Sequence, residues 1–534
     1  MYNEFKIIQQ EGDESLVRGG YAGNPTLSSV QEIILLYLKE LSFYITRLKD
    51  FGITNNDIKN KIINSFFSIV TGTEYTQEEF HNDIVVLYEY IMQSKALYEK
   101  SCLEKEINVE TSKSYFKYSK NFSLTEAIRK GEKYFLKKTH SFTPRQKDLY
   151  DIILFLIKSM SLKLVEFQRM GQEDDGAYYT ILDLLNTVIP EDFPEERVKE
   201  KINQTIEVYY ELGKKVYLKQ DELFGKSTMT EVSFSSEPGK AIMVSGADFK
   251  KLENVLKASE NYPIKVYTHG AEMLMAHTHE KFRNHPNLKA HFGSNIDSSL
   301  LEFSTFPGAI LMTKGSLQRI EYLYRGRLFT LDPLAPNGVV KIKDDNYEPL
   351  IKSALEAEGF SKGEIKPSRK VGFNENEIYQ QLDKIIGKVK NKQVKSVYII
   401  GLINIPNPAY KNYFEQFFLN FPKDSYAISL CYPINNENTF HLDSFCEYFL
   451  SYKILSYLKQ AEDFDEKKLN IFLTRCDKHT ISNLLYLKHI GVENVYMCKC
   501  PHNLINPALM KTLQEVFDIK EMSEARKDLR DTLS

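Results

Sequence analysis

Hydrophobic residues recur at intervals of three and four through most of the first 225 positions, which is the spacing of one buried face of an α-helix. The pattern predicts helices over Ser28–Asp50, Gln77–Lys100, Leu124–Leu136, Thr143–Met170 and Glu195–Gln220. Ser29 precedes Glu32 at the spacing of a capping box, which sets the expected start of the first helix. Thr143-Pro144 offers a cap followed by a proline at the first helical position. Almost no strand-like alternation interrupts these segments, so residues 1–234 are expected to form a helical-bundle domain.

The pattern changes near residue 235. Short β-rich runs appear at Ala241–Ser245, Ile264–Thr268, Ala309–Thr313, Ser396–Leu402, Tyr426–Cys431, Asn470–Thr474 and Asn494–Cys498. Helical patterns at Asp248–Ser259, Glu375–Lys390, Ala409–Leu419, Leu442–Gln460 and Lys478–Ile490 alternate with them. Strands alternating with helices predict parallel sheets covered by helices. The expected architecture is therefore multi-domain, α and α/β. A helical bundle is followed by two Rossmann-like α/β domains, 235–374 and 375–534, with the polar Asp344–Asn374 stretch as their divider.

Composition narrows the function. With 534 residues and 42% hydrophobic positions, the chain is long enough for about three domains and apolar enough to fill their cores. Lys and Arg number 69 against 72 Asp and Glu, a net charge of −3. That balance provides no basic field for a polyphosphate, so no nucleic-acid partner is expected. Apolar runs such as Ile33–Leu38 and Ile152–Ile157 fall far short of the roughly 18 residues that cross a bilayer, so no membrane partner is expected either. The segment MYNEFKIIQQEGDES lacks the basic-then-apolar order of a signal peptide. Six cysteines do not make a disulfide framework in a chain this long, which suits a cytoplasmic setting.

Nucleotide and hydrolase signatures are missing. VSGADF has one glycine where a pyrophosphate loop needs several, no GK[ST] follows a glycine loop, and no G-x-S-x-G elbow occurs. The segment from Thr268 to His279 gathers His269, Glu272, His277 and His279 at the end of an expected strand. Strand C-termini are where open α/β sheets hold ligands, and this spacing can bind a divalent metal; local hydrogen bonding is the plain alternative. Cys498-Lys-Cys500-Pro-His502 has soft donors but makes an incomplete zinc set. Cys431, Cys446 and Cys476 stand near strand or helix ends, and each can equally be a small buried side chain. Tyr178-Tyr179 and Tyr209-Tyr210 are candidate surface pairs for a protein partner or self-assembly, against the alternative of packing along a helix face.

Several phrases of the chain resemble the hybrid-cluster protein family, also called prismane proteins or hydroxylamine reductases, which are relatives of the nickel carbon monoxide dehydrogenases. They are IMVSGADFKKLENVL, IKVYTHG, EMLMAH, HPNLKAHFGSN and EFSTFPGAILMT, with LYDIILFLIKSMSLKLVEFQRMGQEDDGAYYTILDLLN and LGKKVYLKQDELFGKSTMTEV upstream and LLYLKHIGVENVYM downstream. The resemblance implies a helical domain, two α/β domains, an N-terminal cubane on four cysteines, and a hybrid iron–sulfur–oxygen cluster held by one His, two Glu and four Cys.

Carried onto this chain, that donor set is mostly missing. Ser15 and Tyr21 stand where the last two cubane cysteines belong, and no cysteine precedes Cys102. Ala247 stands at the His ligand, Ser316 at the first Cys and Leu402 at the persulfide Cys. Glu272, Cys431 and Cys446 match ligand positions, with Ala271 as a one-residue insertion before Glu272. Asp477 replaces the second Glu, and His479 follows where the family has Lys. No cysteine lies between Cys102 and Cys431, so no shift of register restores the lost thiolates.

The intact 4Fe-4S and hybrid clusters are therefore not expected, and the leading expectation is a chain without cofactor. Lys314, Arg475 and His479 are the expected charge partners of Glu272 and Asp477 in a polar pocket. The leading functional expectation is a non-redox scaffold, binding or assembly protein with no catalytic residue. One alternative is a mononuclear Fe or Zn enzyme on Glu272, Cys431, Cys446 and Asp477, with His269 or Ser316 as a further donor. The second alternative is the family's own hydroxylamine or nitric oxide reduction.

Overall fold

The computed structural model describes residues 25–71, 75–112, 114, 116–187, 195–293, 299–313, 322–332, 334–335, 338–372, 375–401, 408–429, 438–441, 453–458, 468–473, 478–498 and 507–533. Among the described residues, seven helices form the N-terminal part: α1 (Pro25–Asp50), α2 (Asn56–Thr71), α3 (Gln77–Glu104), α4 (Leu124–Ser141), α5 (Pro144–Arg169), α6 (Asp175–Thr187) and α7 (Glu195–Phe224). Helix α1 packs on α3, α4 and α6, while α5 packs on α2, α6 and α7. Thr76 and Thr143 cap α3 and α5 with complete capping boxes, and Pro144 sits in the first turn of α5. The expected start of α1 at Ser29 is corrected. The helix begins at Pro25, and Ser29 and Glu32 lie buried inside it. A proline fits the first turn because its missing N–H has no helical partner there.

Helix α5 is the pivot of the molecule. Every residue from Asp148 to Leu162 is buried, so this helix is enclosed on all sides rather than on one stripe. Its buried polar groups must then find partners inside the protein, and two of them find partners in the C-terminal α/β unit. The Thr512 hydroxyl of the helix Pro507–Phe517 donates to Asp148 at 2.6 Å, and the Ser482 hydroxyl of the helix Lys478–His489 bonds Ser159 at 3.1 Å. Burial pushes the Asp148 carboxyl above its ordinary range, with the Thr512 hydroxyl opposing.

Two six-stranded sheets follow, and all their strand pairings are parallel. The first has β2 (Lys240–Ser245), β3 (Ile264–His269), β4 (Leu288–His291), β5 (Ala309–Met312), β6 (Leu328–Thr330) and β7 (Val340–Lys341) in the order β4-β3-β2-β5-β6-β7. The second has β9 (Ser396–Gly401), β10 (Ser425–Ser429), β11 (Thr439–His441), β12 (Leu469–Leu473), β13 (Asn494–Met497) and β14 (Lys520–Glu521) in the order β11-β10-β9-β12-β13-β14. Each is the doubly wound 3-2-1-4-5-6 order, whose chain direction reverses beside its first strand. The inner strands are buried on both faces, as Ile242–Val244, Val397–Ile400 and Ile471–Leu473 illustrate.

The 344–374 stretch is more than a divider. Its helix Glu348–Glu356 packs on β2 and β5, and β8 (Arg369–Val371) pairs antiparallel with β1 (Thr230–Val232) ahead of the first sheet. Among the described residues no helix is long and apolar enough to cross a membrane.

The C-terminal end of α5 docks on the first sheet through Arg169. Its guanidinium pairs with Asp248 at 3.0 Å and donates to the Thr313 carbonyl at 2.8 Å. Both side chains of the pair are largely shielded from water. Arg169→Met strands the Asp248 carboxylate, and loss of one partner of a buried pair costs about 3–5 kcal/mol. Urea unfolding of the full chain reads this directly. An unchanged midpoint shows that the bundle and the first sheet do not depend on Arg169.

Candidate functional site

The doubly wound order directs attention to the strand C-termini beside β2/β5 and β9/β12, the crevices where such sheets hold ligands. The positions singled out from the sequence follow strand ends in both sheets. Ala247 follows β2, Glu272 follows β3 and Ser316 follows β5; Leu402 follows β9, Cys431 follows β10, Cys446 follows β11 and Asp477 follows β12. Ala247 and Glu272 are described in the structure. Ser15, Tyr21, Lys314, Ser316, Leu402, Cys431, Cys446, Arg475, Cys476, Asp477, Cys500 and His502 lie outside the described residues. His479 belongs to the helix Lys478–His489, and its side chain also lies outside the description.

The loop after β2 closes on β5 and β3. Gly246, at φ 122°, turns the chain in a conformation that side-chain-bearing residues rarely adopt. Its amide donates to the His269 carbonyl at 3.3 Å. The amides of Ala247 and Asp248 both point at the Thr313 hydroxyl at 3.3 Å, and that hydroxyl donates to the Ser245 carbonyl at 3.0 Å. Ala247 is buried and offers a methyl group, which cannot bind a metal. Asp248 caps the helix Phe249–Ala258 by accepting from the Lys251 amide. Burial pushes its carboxyl upward, with Arg169 opposing. Glu272 is half-buried on the one-turn helix Ala271–Leu274.

Strand pairing then assembles a hydrogen-bonded chain. Ser245 and His269 are register partners on β2 and β3, so their side chains project from the same face. Ser245 Oγ lies 2.8 Å from His269 Nδ1, and His269 Nε2 lies 2.7 Å from Glu302 Oε2. An ionised carboxylate only accepts, so Nε2 carries the hydrogen and Nδ1 accepts from the Ser245 hydroxyl. Thr268, on the opposite face, places its hydroxyl 2.7 Å from His277 Nε2 and 2.9 Å from His291 Nδ1. His279 donates from Nδ1 to the Gly225 carbonyl at 2.7 Å.

All four imidazoles are buried. Burial pushes His277 down to about 4 and lowers His279, where the Gly225 carbonyl and Asp221 oppose it. His291 is pushed well below the ordinary histidine value by burial, with His269, His277 and Arg369 adding to the shift.

Of the two readings of His269, Glu272, His277 and His279, local hydrogen bonding is what the histidines show. Each histidine is committed to a different partner, and among the described residues no three His, Cys, Asp or Glu side chains are arranged to hold a metal ion. Cys498 is buried after β13, with its amide donating to Leu473. The tyrosine pairs pack along helix faces. Tyr178 and Tyr209 are buried, and Tyr210 stacks on Tyr486 with ring centres 4.4 Å apart. Sequence reasoning missed Ser245, Glu302, His291 and Thr313. The available signal was positional, since Ser245, His269, His291 and Thr313 stand at or next to strand C-termini.

A helical bundle ahead of two doubly wound sheets is the architecture that the resemblance implies. The Prismane/CO dehydrogenase family model matches residues 191–430, which include the first sheet and the first two strands of the second. The chain is 25% identical to a hydroxylamine reductase of Methanocella arvoryzae, over 97% of each chain. It is 26% identical to one of Thermodesulfovibrio yellowstonii, over 95% of this chain and 96% of that one, and 24% identical to one of Syntrophobacter fumaroxidans, over 98% and 99%. The chain is thus similar over nearly its whole length to proteins of the hybrid-cluster family.

His269 and Glu302 belong to two of the phrases that carry the family resemblance, and the fold brings those phrases together. Glu302→Leu removes the acceptor of His269 Nε2–H and leaves a buried donor unpaired, a loss of about 1–3 kcal/mol. Glu302→Gln retains an amide oxygen that can accept, so its thermal midpoint should stay well above that of the Leu variant. Equal midpoints for the two variants show that the hydrogen bond contributes nothing beyond packing.

Proposed function

We propose that this chain is a hybrid-cluster-protein relative without the N-terminal cubane or an intact hybrid cluster, acting as a non-redox scaffold or binding protein. The carrying observation is the distribution of cysteine: none before Cys102 and none between Cys102 and Cys431. Iron–sulfur cubanes are held by thiolates, and side chains such as Ser15, Tyr21 and Leu402 do not replace them. The buried methyl of Ala247, on a loop whose amides are taken up by Thr313, supports the same reading at the position of the family's His ligand. The donor set does not fit the family's clusters, and no catalytic step is derived through them.

Hydroxylamine reduction is the activity named for the relatives. It requires electrons carried to a bound substrate, and the cubane thiolates that would carry them are missing from the sequence. Overall likeness in fold does not restore that path, because activity resides in the site.

Metal analysis and absorption spectroscopy of protein purified without oxygen test the proposal. The expected result is colourless protein without stoichiometric iron or zinc. Several irons per chain with charge-transfer absorption overturn it in favour of the reductase. A single Fe or Zn that disappears in Cys431→Ala overturns it in favour of a mononuclear metal site on Glu272, Cys431, Cys446 and Asp477.

A further inference from the structure

The crossover from β3 to β4 leaves the C-terminal end of β3 as a strap that packs on β3, β1 and β8. It consists of the short helices Ala271–Leu274, Met275–Thr278 and Glu280–Arg283. His277 ties it to Thr268 of β3. Thr278 ties it to the chain after α7, through its hydroxyl on Ser227 at 2.7 Å and its carbonyl on the Thr228 amide at 3.0 Å. His279 holds the Gly225 carbonyl, and Arg283 donates back to the Thr278 carbonyl at 2.6 Å. At the strand ends, Ser245, Ala247, Thr268 and His269 are buried. Two of the ties that hold it against its neighbours are imidazoles.

We propose that this strap is released by acid, being held on β3 by the neutral His277–Thr268–His291 chain. The inference goes beyond the proposed function and does not depend on it, because the ties involve none of the cluster positions.

The geometry supplies the reason. Thr268 has one hydroxyl hydrogen, so it donates to one of its two imidazoles and accepts an N–H from the other. Protonating the accepting ring removes the only acceptor for that hydrogen and places a charge in a buried cluster, which is costly without a counter-ion. The groups facing the cluster give little relief. Arg369 of β8 lies on the His291 side and repels. Glu302 is bonded to His269, whose ring stacks over His291 at 6.5 Å. At His279, Asp221 of α7 favours a proton while Arg283 and burial oppose it.

The sign follows from linkage. The imidazoles are lowered in the closed state, so the released strap binds protons more readily. Closure is complete above the ordinary histidine value of 6.5 and weakens as pH falls from there toward about 4. For His277 alone, going from pH 7.5 to 5.0 multiplies the release constant by about 30.

Hydrogen exchange of the full chain at pH 7.5 and 5.0, corrected for intrinsic exchange rates, provides the test. Residues 271–283 are expected to lose at least about tenfold in protection at pH 5.0, while β9, β12 and β13 retain theirs. His277→Gln keeps an amide for Thr268 but cannot take a proton, so it should remove most of this pH response. The proposal is overturned by unchanged protection of the strap, by simultaneous loss across both sheets, or by an undiminished response in His277→Gln. If that variant does not fold, the wild-type contrast between strap and second sheet decides the matter.

Discussion

The enclosure of α5 is the constraint on which the rest of the molecule depends. A helix buried on every side cannot shed its polar groups into water, so their partners must come from whatever surrounds it. For Asp148 and Ser159 those partners are Thr512 and Ser482 of the C-terminal unit, and at the far end Arg169 reaches Asp248 and Thr313 of the first sheet. One rigid element thereby fixes both doubly wound sheets relative to the bundle. The strand C-termini of the first sheet owe part of their positioning to a helix distant in sequence.

Those strand ends are polar yet shielded, which is an expensive arrangement unless every group is paired. In the first sheet the pairing is largely neutral. Ser245, Thr268, Thr313 and the four imidazoles exchange hydrogen bonds among themselves and with backbone groups, and the carboxylate of Glu302 closes one chain. Such a network specifies one arrangement sharply, because displacement of one member leaves another without a partner.

Likeness to the family and donor chemistry point in different directions here, and the physical basis of each differs. The fold rests on apolar strands, helix caps and the buried α5, all of which tolerate the replacement of a metal ligand at a loop. A cluster rests on a few soft donor atoms at fixed places. On the proposed reading, Ala247, Ser316 and Leu402 leave the first set of forces intact and supply no soft donor for the second. A hydroxylamine reductase-like architecture is therefore compatible with chemistry quite different from that of its relatives.

The alternation of β-rich and helical runs sufficed to read two parallel α/β units behind a helical bundle, because buried parallel strands are apolar on both faces and bundle helices repeat at three and four. The inner strands other than the three-residue β6 are located to within a residue or two. Short edge strands such as β7, β8 and β14 escaped, since two or three residues carry no periodicity and pairing alone defines them. The true start of α1 escaped for a related reason, as Ser29 and Glu32 satisfy a cap spacing that burial against the bundle overrides.

The scarcity of cysteine is a property of the sequence alone and needs no coordinates. What only the tertiary structure decided is which polar side chains meet. Ser245, His269 and Glu302 are separated along the chain by other elements, and parallel register with a crossover helix brings them into one hydrogen-bonded line. Contact between residues remote in sequence is set by how sheets and helices pack, and no local pattern encodes it.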